Sequence, residues 1–168
     1  MVVKYIEEDV KRHQQAMAMV EGKEDMNRMF VFENFNPDIA CGITKTTDQS
    51  YFTPYEMAFE MAQEFNNKDT YVDIGAGIGV LSRAMLDRFR SETASDHDPL
   101  KIICIERNEI LAEVGKVLVP EATWIVGDAL DQNLWFNLPE EPMWFYTNPP
   151  FNVKSKHNWL SAPCLLYT

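Results

Sequence analysis

Acidic, glycine and amide residues that could bind a ligand recur at four places in this 168-residue sequence, each directly after an apolar segment. The first is a glycine-rich turn, Asp73-Ile74-Gly75-Ala76-Gly77-Ile78-Gly79. The others are Glu106, the pair Gly127-Asp128 and the run Asn148-Pro149-Pro150-Phe151. Glycines permit positive φ and a close approach of backbone to ligand, while carboxylates and amides supply hydrogen-bonding groups. These residue types suit the recognition of a polar organic ligand.

Four predicted strands position these residues, over 70–74, 101–106, 122–126 and 143–147. Helical patterns over 80–90 and 109–117, and a loop or short helix over 131–138, separate the strands. This alternation predicts an α/β fold: a Rossmann-like parallel sheet in the order 3-2-1-4, with helices on both faces. Ligands bind at the carboxyl ends of strands in such sheets, so we expect the four groups to share one site.

The sequence before the first strand predicts a different kind of region. Residues 1–50 are interpreted as an N-terminal helical segment and loop, with a helix over 3–20, an apolar helix within 26–35 that packs on the domain, and a loop over 36–50.

Residues 51–168 are interpreted as the ligand-binding core. Its first helix is expected to have Thr53 as N-cap and Pro54 at its first position. The expected end of this helix is near 66–67, and one apolar face is predicted to contain Met57, Ala58, Met61, Ala62 and Phe65.

Composition sets limits on the class of protein. A length of 168 residues suits one domain, and 15 basic against 26 acidic residues give a net charge of −11. This balance lacks the electrostatic footprint of a self-sufficient nucleic-acid binder. No apolar run approaches a membrane span, and the three cysteines have no metal-type spacing. We therefore expect a cytoplasmic protein with reduced thiols, no membrane association and no metal.

The positions of the acidic residues indicate a nucleoside-like ligand. Glu106, at the end of the second strand, can accept hydrogen bonds from both hydroxyls of a ribose. Asp73 would sit badly against a pyrophosphate but well against a cation such as an amino group, and the glycine spacing differs from the dinucleotide fingerprint. Asp128 can accept a hydrogen bond from the exocyclic amine of an adenine.

The segment from Val72 to Gly79, together with Glu106 and Gly127-Asp128, resembles the S-adenosylmethionine-dependent methyltransferases. The resemblance covers about residues 45–155 and implies the same sheet and S-adenosyl-L-methionine as cofactor. The residues that it implies as cofactor-binding are Phe52, Thr53, Asp73, Gly75, Ala76, Gly77, Gly79, Glu106, Arg107, Asp128, Ala129 and Asn148.

The Asn148-Pro149-Pro150-Phe151 run narrows this resemblance to methyltransferases that act on a planar amine or amide nitrogen. The segment Phe52-Thr53-Pro54 looks like the corresponding part of the DNA adenine enzymes, which implies transfer to adenine N6 in DNA. The same tetrapeptide occurs in enzymes acting on guanine N2 of rRNA or on a protein glutamine amide, so these substrates stay open. DNA or RNA is the expected partner.

The tetrapeptide also suits this chemistry. The lone pair of an aromatic amine is delocalised into the ring, so two acceptors aimed at its N–H groups would favour a more nucleophilic nitrogen. The Asn148 side-chain oxygen and the Pro149 carbonyl can be those acceptors, and two prolines stiffen the loop. Phe151 offers a stacking face for a flipped base. The expected catalytic residues are therefore Asn148, Pro149, Pro150 and Phe151.

The sequence departs from the family after the fourth strand. The resemblance implies three further strands, and only 17 residues follow Phe151, which predicts an incomplete sheet with an apolar edge. The expectations are a fragment, a short form whose tail covers the edge, or a protein partner or self-association that covers it. A non-catalytic S-adenosylmethionine-binding module or regulatory subunit is the remaining alternative.

Overall fold

The computed structural model describes residues 6–42, 52–62, 69–93, 100–140 and 143–148. Four helices precede the first strand, and from there strands and helices alternate, as expected for an α/β protein. The helices are α1 (Glu7–Val20), α2 (Arg28–Asn34), α3 (Pro37–Ala40), α4 (Tyr55–Met61), α5 (Val80–Glu92), α6 (Glu109–Leu118) and α7 (Gln132–Trp135), and the strands are β1 (Thr70–Ile74), β2 (Lys101–Glu106), β3 (Thr123–Val126) and β4 (Met143–Tyr146).

The four strands form one parallel sheet in the order β3-β2-β1-β4. This order and the parallel direction confirm the predicted fold class. In the register of the sheet, Asp73 on β1 lies between Cys104 on β2 and Tyr146 on β4. The sheet therefore places a carboxyl group of its central strand among residues of both neighbours.

Alternating strand residues divide the interior into two apolar clusters, one on each face of the sheet. Tyr71 and Ile102 belong to the larger cluster, which also contains buried residues of α1, α2, α4, α5 and α6. Val72 and Ile103 belong to the smaller cluster, against which residues of α7 pack. Helices thus lie on both faces, as predicted, although α7 is the one described helix on the second face.

The N-terminal helices pack into the same interior as the sheet. Ala16 and Met19 of α1 and Val31 of α2 are buried members of the larger cluster, which confirms that the apolar segment within 26–35 packs on the domain. The expected loop over 36–50 was wrong at its start. The Asn36 side chain accepts hydrogen bonds from two backbone N–H groups and Pro37 occupies the first turn, so α3 forms there. A domain boundary near residue 50 stays a prediction.

Helix α4 differs from the sequence-based expectation in its start, its end and its buried face. Pro54, not Thr53, occupies the N-cap position, and the helix ends at Met61. Met57 and Met61 are 56% and 49% exposed. Ala58 and Ala62 are buried, as predicted, whereas Tyr55 and Phe59 take the core-facing places expected for Met57 and Met61, and this face packs against α5. Phe65 lies outside the described residues.

Strand β4 lies at one end of the described sheet. It pairs with β1, and within the described ranges no other strand pairs with it. Trp144 and Phe145 are 60% and 41% exposed, and the Trp144 indole donates a 2.9 Å hydrogen bond to Asp69. The predicted tail that would cover this edge belongs to residues 151–168, outside the described part of the chain. None of the described helices is long and apolar enough to cross a membrane.

Candidate functional site

A cleft opens at the carboxyl end of β1, between the glycine-rich turn and the segment that precedes α4. Seven residues line the cleft: Phe52, Thr53, Gly75, Ala76, Val80, Leu81 and Asn148. Five of them were predicted as site residues from the sequence, namely Phe52, Thr53, Gly75, Ala76 and Asn148. The fold therefore brings together residues from the start of the core, the first strand end and the fourth strand end.

The glycine turn keeps an open backbone surface on the cleft. Gly75 has φ +71°, and a Cβ placed there would meet no atom within 4 Å. The N–H groups of Gly75 and Ala76 both donate to the Ile105 carbonyl, at 2.9 and 3.1 Å, which fixes the turn to the end of β2. Open space above a left-handed glycine is the kind of surface that a ligand can approach closely.

Phe52, which lines the cleft, lies against Gly77 of the turn. A Cβ on Gly77, which has φ +57°, would lie 2.8 Å from the Phe52 ring. The absence of a side chain at this position lets the aromatic ring lie directly on the turn. Phe52 is half-buried and also packs against Phe35. The predicted ligand site thus has one aromatic wall.

Gly79 lies away from the cleft. It begins α5 with φ +86°, and a Cβ there would lie 2.7 Å from Val119 and 3.1 Å from Trp124. Close packing against these two side chains, together with the left-handed backbone, accounts for glycine at this position. The structure does not place Gly79 on the cleft lining, so its predicted role in binding a ligand stays a prediction.

Asp73 is the most unusual group near the site. Its side chain is 1% exposed, and Oδ2 accepts a 2.7 Å hydrogen bond from the Ser82 hydroxyl. Oδ1 is the one buried side-chain oxygen or nitrogen, among those described, that has no hydrogen-bond partner. Burial raises the pKa of Asp73 to about 7, while hydrogen bonds from Ser82 oppose the rise and the nearby Glu106 adds to it.

Glu106 reaches from the end of β2 to the glycine turn. Oε2 accepts a 2.8 Å hydrogen bond from the Gly77 N–H, and Oε1 accepts a 2.7 Å bond from the Asn108 N–H. A carboxylate has about four acceptor positions, so two further donors such as ribose hydroxyls can still bind it. The geometry fits the predicted role of Glu106 as an acceptor next to the glycine turn.

Asp73, Gly77 and Glu106 lie beside the cleft but are not among its lining residues. The remaining predicted cofactor residues, Arg107, Asp128 and Ala129, follow β2 and β3 and are also outside the lining. Arg107 is exposed and Asp128 is half-buried, and their side chains approach to 3.8 Å. Asp128 Oδ1 also accepts a 3.0 Å hydrogen bond from the Leu130 N–H. Ala129 packs on the smaller cluster, and its carbonyl accepts a hydrogen bond from the Trp135 indole. For Asp128 to bind an adenine amine, one of its carboxylate oxygens must not be paired with Arg107.

Asn148 lies on the cleft with its side chain held by Thr53. Asn148 Nδ2 donates a 2.8 Å hydrogen bond to Thr53 Oγ1. The preceding residue, Thr147, donates a 2.6 Å hydrogen bond to the Ile74 carbonyl, which fixes the end of β4 beside the glycine turn. Pro149, Pro150 and Phe151 lie outside the described residues, so their predicted catalytic roles stay predictions.

Two polar residues of the site were not predicted from the sequence. Ser82 hydrogen-bonds Asp73, and Asn108 donates its backbone N–H to Glu106 while its side chain caps α6. The sequence contained a signal for Asn108, because an asparagine before an apolar helical pattern is a typical N-cap. Ser82 gave a weaker signal, as a hydroxyl in an otherwise apolar part of α5.

The arrangement offers hydrogen-bond acceptors beside the glycine turn and an amide on the cleft. Two carboxyl groups lie at the glycine turn and one amide lies across the cleft from it. Among the described residues, no group of three or more histidine, cysteine or acidic side chains could hold a metal ion.

Comparisons with known proteins give weak structural likenesses and nothing more. No family model matches the chain, and no curated protein matches it. A structure from Pyrococcus horikoshii, provisionally described as an RNA methyltransferase, is 21% identical with a TM-score of 0.42, and the match covers 69% of this chain and 53% of that one.

Two further structures have similar descriptions. A TehB-like SAM-dependent methyltransferase from Corynebacterium glutamicum is 15% identical with a TM-score of 0.34, over 74% of this chain and 48% of the other. The plantazolicin methyltransferase BamL, in complex with a triazolic desmethylPZN analogue and SAH, is 14% identical with a TM-score of 0.35, over 79% and 43%. The matches span about half the length of these proteins.

Proposed function

We propose that this chain binds S-adenosyl-L-methionine and takes part in methyl transfer to the exocyclic N6 amine of adenine in DNA. The observation that carries the proposal is the cleft itself. An open glycine turn, flanked by the carboxyl groups of Asp73 and Glu106, shares this cleft with the amide of Asn148. In this proposal the acceptors for an amine and hydroxyls lie behind and beside the glycine turn, and the amide of Asn148 is the contact to a substrate nitrogen.

The residues at the turn fit the proposed cofactor. Gly75 leaves open space, Asp73 has a buried oxygen without a partner, and Glu106 has acceptor capacity beyond its two backbone donors. We assign Asp73 to the amino group of the cofactor, Glu106 to its ribose hydroxyls and Asp128 to its adenine amine. When bound, S-adenosylmethionine would supply an electrophilic methyl group on a sulfonium.

Phe52 adds an apolar contact to these polar ones. Its ring lies on Gly77 and lines the cleft, where it can exclude water from one side of a bound ligand. Exclusion of water strengthens the electrostatic interactions of the two carboxyl groups. Ala76 continues this wall with a small side chain that leaves room for a ligand.

Asn148 is the proposed contact to the nucleophile. Its side-chain oxygen can accept a hydrogen bond from the target N–H, which favours a more nucleophilic nitrogen as the methyl group moves to it. The sequence predicts a second acceptor at the Pro149 carbonyl and a stacking face at Phe151. Residues 149–151 lie outside the described part of the chain, so these two roles are supported by the tetrapeptide sequence alone.

A DNA substrate would have to overcome the net charge of −11 on this chain. We therefore expect methylation of DNA to depend on a basic partner or on further protein sequence. The assay therefore uses the full chain in two forms, alone and together with the partners that bind it in its native source. The cytoplasmic location, inferred from the sequence, agrees with a nucleic-acid substrate and stays part of the proposal.

A methyl-transfer assay tests the proposed function. The protein is incubated with methyl-labelled S-adenosylmethionine and, in separate reactions, with DNA, rRNA and total protein, and the product is digested and identified by mass spectrometry. The expected product is N6-methyldeoxyadenosine, and Asn148→Ala should lower turnover by roughly 100-fold or more with nearly unchanged cofactor affinity. Glu33→Ala, an exposed residue of α2, serves as the matched control.

The outcomes of this assay distinguish the alternatives. Label that appears only in rRNA or only in protein would contradict the DNA substrate and favour guanine or glutamine. Cofactor binding without transfer to any substrate would contradict the proposed enzymatic activity and favour a non-catalytic module. An Asn148→Ala variant that transfers the methyl group at the wild-type rate would show that Asn148 takes no part in the transfer step.

A further inference from the structure

Thr53 and Asn148 are joined by a hydrogen bond across 95 positions of sequence. Asn148 Nδ2 donates to Thr53 Oγ1 at 2.8 Å, and Thr53 is 8% exposed. Both side chains line the same cleft. The contact connects the segment before α4 to the end of β4, two parts of the chain that only the fold brings together.

A carboxamide has two chemically different ends, so its orientation decides what it can do. The NH₂ end only donates hydrogen bonds and the oxygen only accepts them. Because Asn148 Nδ2 donates to the Thr53 hydroxyl, Oδ1 is the end of the amide that is available to a ligand. Among the described residues, no donor hydrogen-bonds Asn148 Oδ1. Rotation of the amide by half a turn would present the NH₂ group instead. This group cannot accept a hydrogen bond from a substrate N–H.

Thr53 is itself well fixed. Its β-branched side chain has few χ1 rotamers, and the following Pro54 restricts the backbone. Helix α4 is then anchored on both sides: the Tyr55 hydroxyl donates a 2.8 Å hydrogen bond to Asp87, and the Tyr146 hydroxyl donates a 3.1 Å bond to the Ala58 carbonyl. A fixed hydroxyl keeps its partner side chain at one place on the cleft, whereas a mobile one does not.

We propose that Thr53 is a positioning residue, which holds the Asn148 side chain at the cleft, with Nδ2 on the Thr53 hydroxyl and the amide oxygen toward the cleft. As a consequence that rests on the proposed function, Thr53 raises the rate of the transfer step without adding to cofactor affinity. This role differs from the one that the sequence indicated for Thr53, as a helix cap and as a cofactor ligand.

Two substitutions separate the hydroxyl from the shape of the side chain. Thr53→Val keeps the branched shape but removes the acceptor, and Thr53→Ser keeps the hydroxyl. We expect Thr53→Val to lower kcat by about 10- to 100-fold, the scale of a misoriented catalytic group, with KM and cofactor Kd unchanged. Thr53→Ser should restore most of kcat. Weaker cofactor binding with unchanged kcat in Thr53→Val would overturn the proposal and make Thr53 a cofactor ligand.

An NMR measurement tests the same contact without any substrate. The Asn148 side-chain NH₂ signals are assigned by their loss in Asn148→Asp, in a sample labelled on asparagine nitrogen. They should shift and exchange faster with solvent in Thr53→Val but not in Thr53→Ser. Unchanged signals in Thr53→Val would overturn the proposal even if the wild-type protein is active. If the wild type transfers no methyl group, the proposed function fails, and these signals alone decide whether Thr53 orients Asn148.

Discussion

The hydroxyl of Ser82, on the first turn of α5, donates a 2.7 Å hydrogen bond to Oδ2 of Asp73, on the central strand β1. Within the part of the chain that the structure describes, the other oxygen of Asp73 has no hydrogen-bond partner, and the side chain is 1% exposed. A carboxyl group in this position is costly to ionise, because burial removes it from water. The fold thus keeps a half-satisfied carboxyl group directly behind the glycine turn.

This environment predicts a specific dependence of stability on pH. Burial raises the pKa of Asp73 from 3.8 to about 7 in the folded state. The folded protein therefore binds more protons than the unfolded chain between about pH 4 and pH 7, so the free energy of unfolding falls as the pH rises through this window. At about 1.4 kcal/mol per pKa unit, the contribution of Asp73 is on the order of a few kcal/mol.

Asp73→Asn removes this titration. Urea unfolding followed at pH 4 to 8 should show a smaller fall in the free energy of unfolding for this variant than for the wild type. Asp25→Asn changes an exposed aspartate and should follow the wild-type curve. Parallel curves for Asp73→Asn and the wild type would contradict a raised pKa for Asp73.

The glycines of the turn differ in what a side chain would cost. An alanine at Gly75 or at Gly79 would adopt a left-handed backbone, which costs roughly 1–2 kcal/mol. At Gly79 the new Cβ would also approach Val119 to 2.7 Å, and such overpacking typically costs about 1–3 kcal/mol more. Thermal or urea unfolding should therefore show Gly79→Ala to be clearly less stable than Gly75→Ala. Equal stabilities would contradict the packing assigned to Gly79.

The link between α4 and α5 predicts a smaller effect. The Tyr55 hydroxyl donates to Asp87 Oδ2, and burial together with this carboxylate raises the pKa of Tyr55 to about 12. Tyr55→Phe should lower the free energy of unfolding by about 0.5–1.5 kcal/mol, the net value of one hydrogen bond. Glu56→Gln, an exposed change on the same helix, is the control. If both variants unfolded at the same urea concentration, the hydrogen bond would contribute nothing measurable.

The sheet was predictable because its signals are local. Strands β1 and β2 have the predicted bounds and the other two lie within one residue of them, since buried parallel strands form continuous apolar runs bounded by polar residues. Their order follows from the right-handed crossovers that helices impose. Ligands bind at the carboxyl ends of parallel strands, and this rule predicted the edge of the sheet at which Gly75, Glu106 and Asn148 lie.

The contacts that decide the detail of the site were not predictable, because they join distant segments. Thr53 followed by Pro54 is a good helix start in sequence, but its hydroxyl binds Asn148 and the helix begins at Tyr55. The apolar period of α4 fits Met57 and Met61 as well as it fits Tyr55 and Phe59. Close packing against α5 selects the second pair, and no sequence period contains that information.

The most direct test of the account is a calorimetric titration of the folded protein with S-adenosylmethionine, with folding checked by circular dichroism. The account predicts saturable one-to-one binding, weakened about 10- to 100-fold in Glu106→Ala because two buried hydroxyls lose a charged acceptor. Glu113→Ala, which changes an exposed glutamate on α6, should bind like the wild type. No binding by the folded wild-type protein, or equal affinity in Glu106→Ala, would contradict the assignment of this cleft to the cofactor.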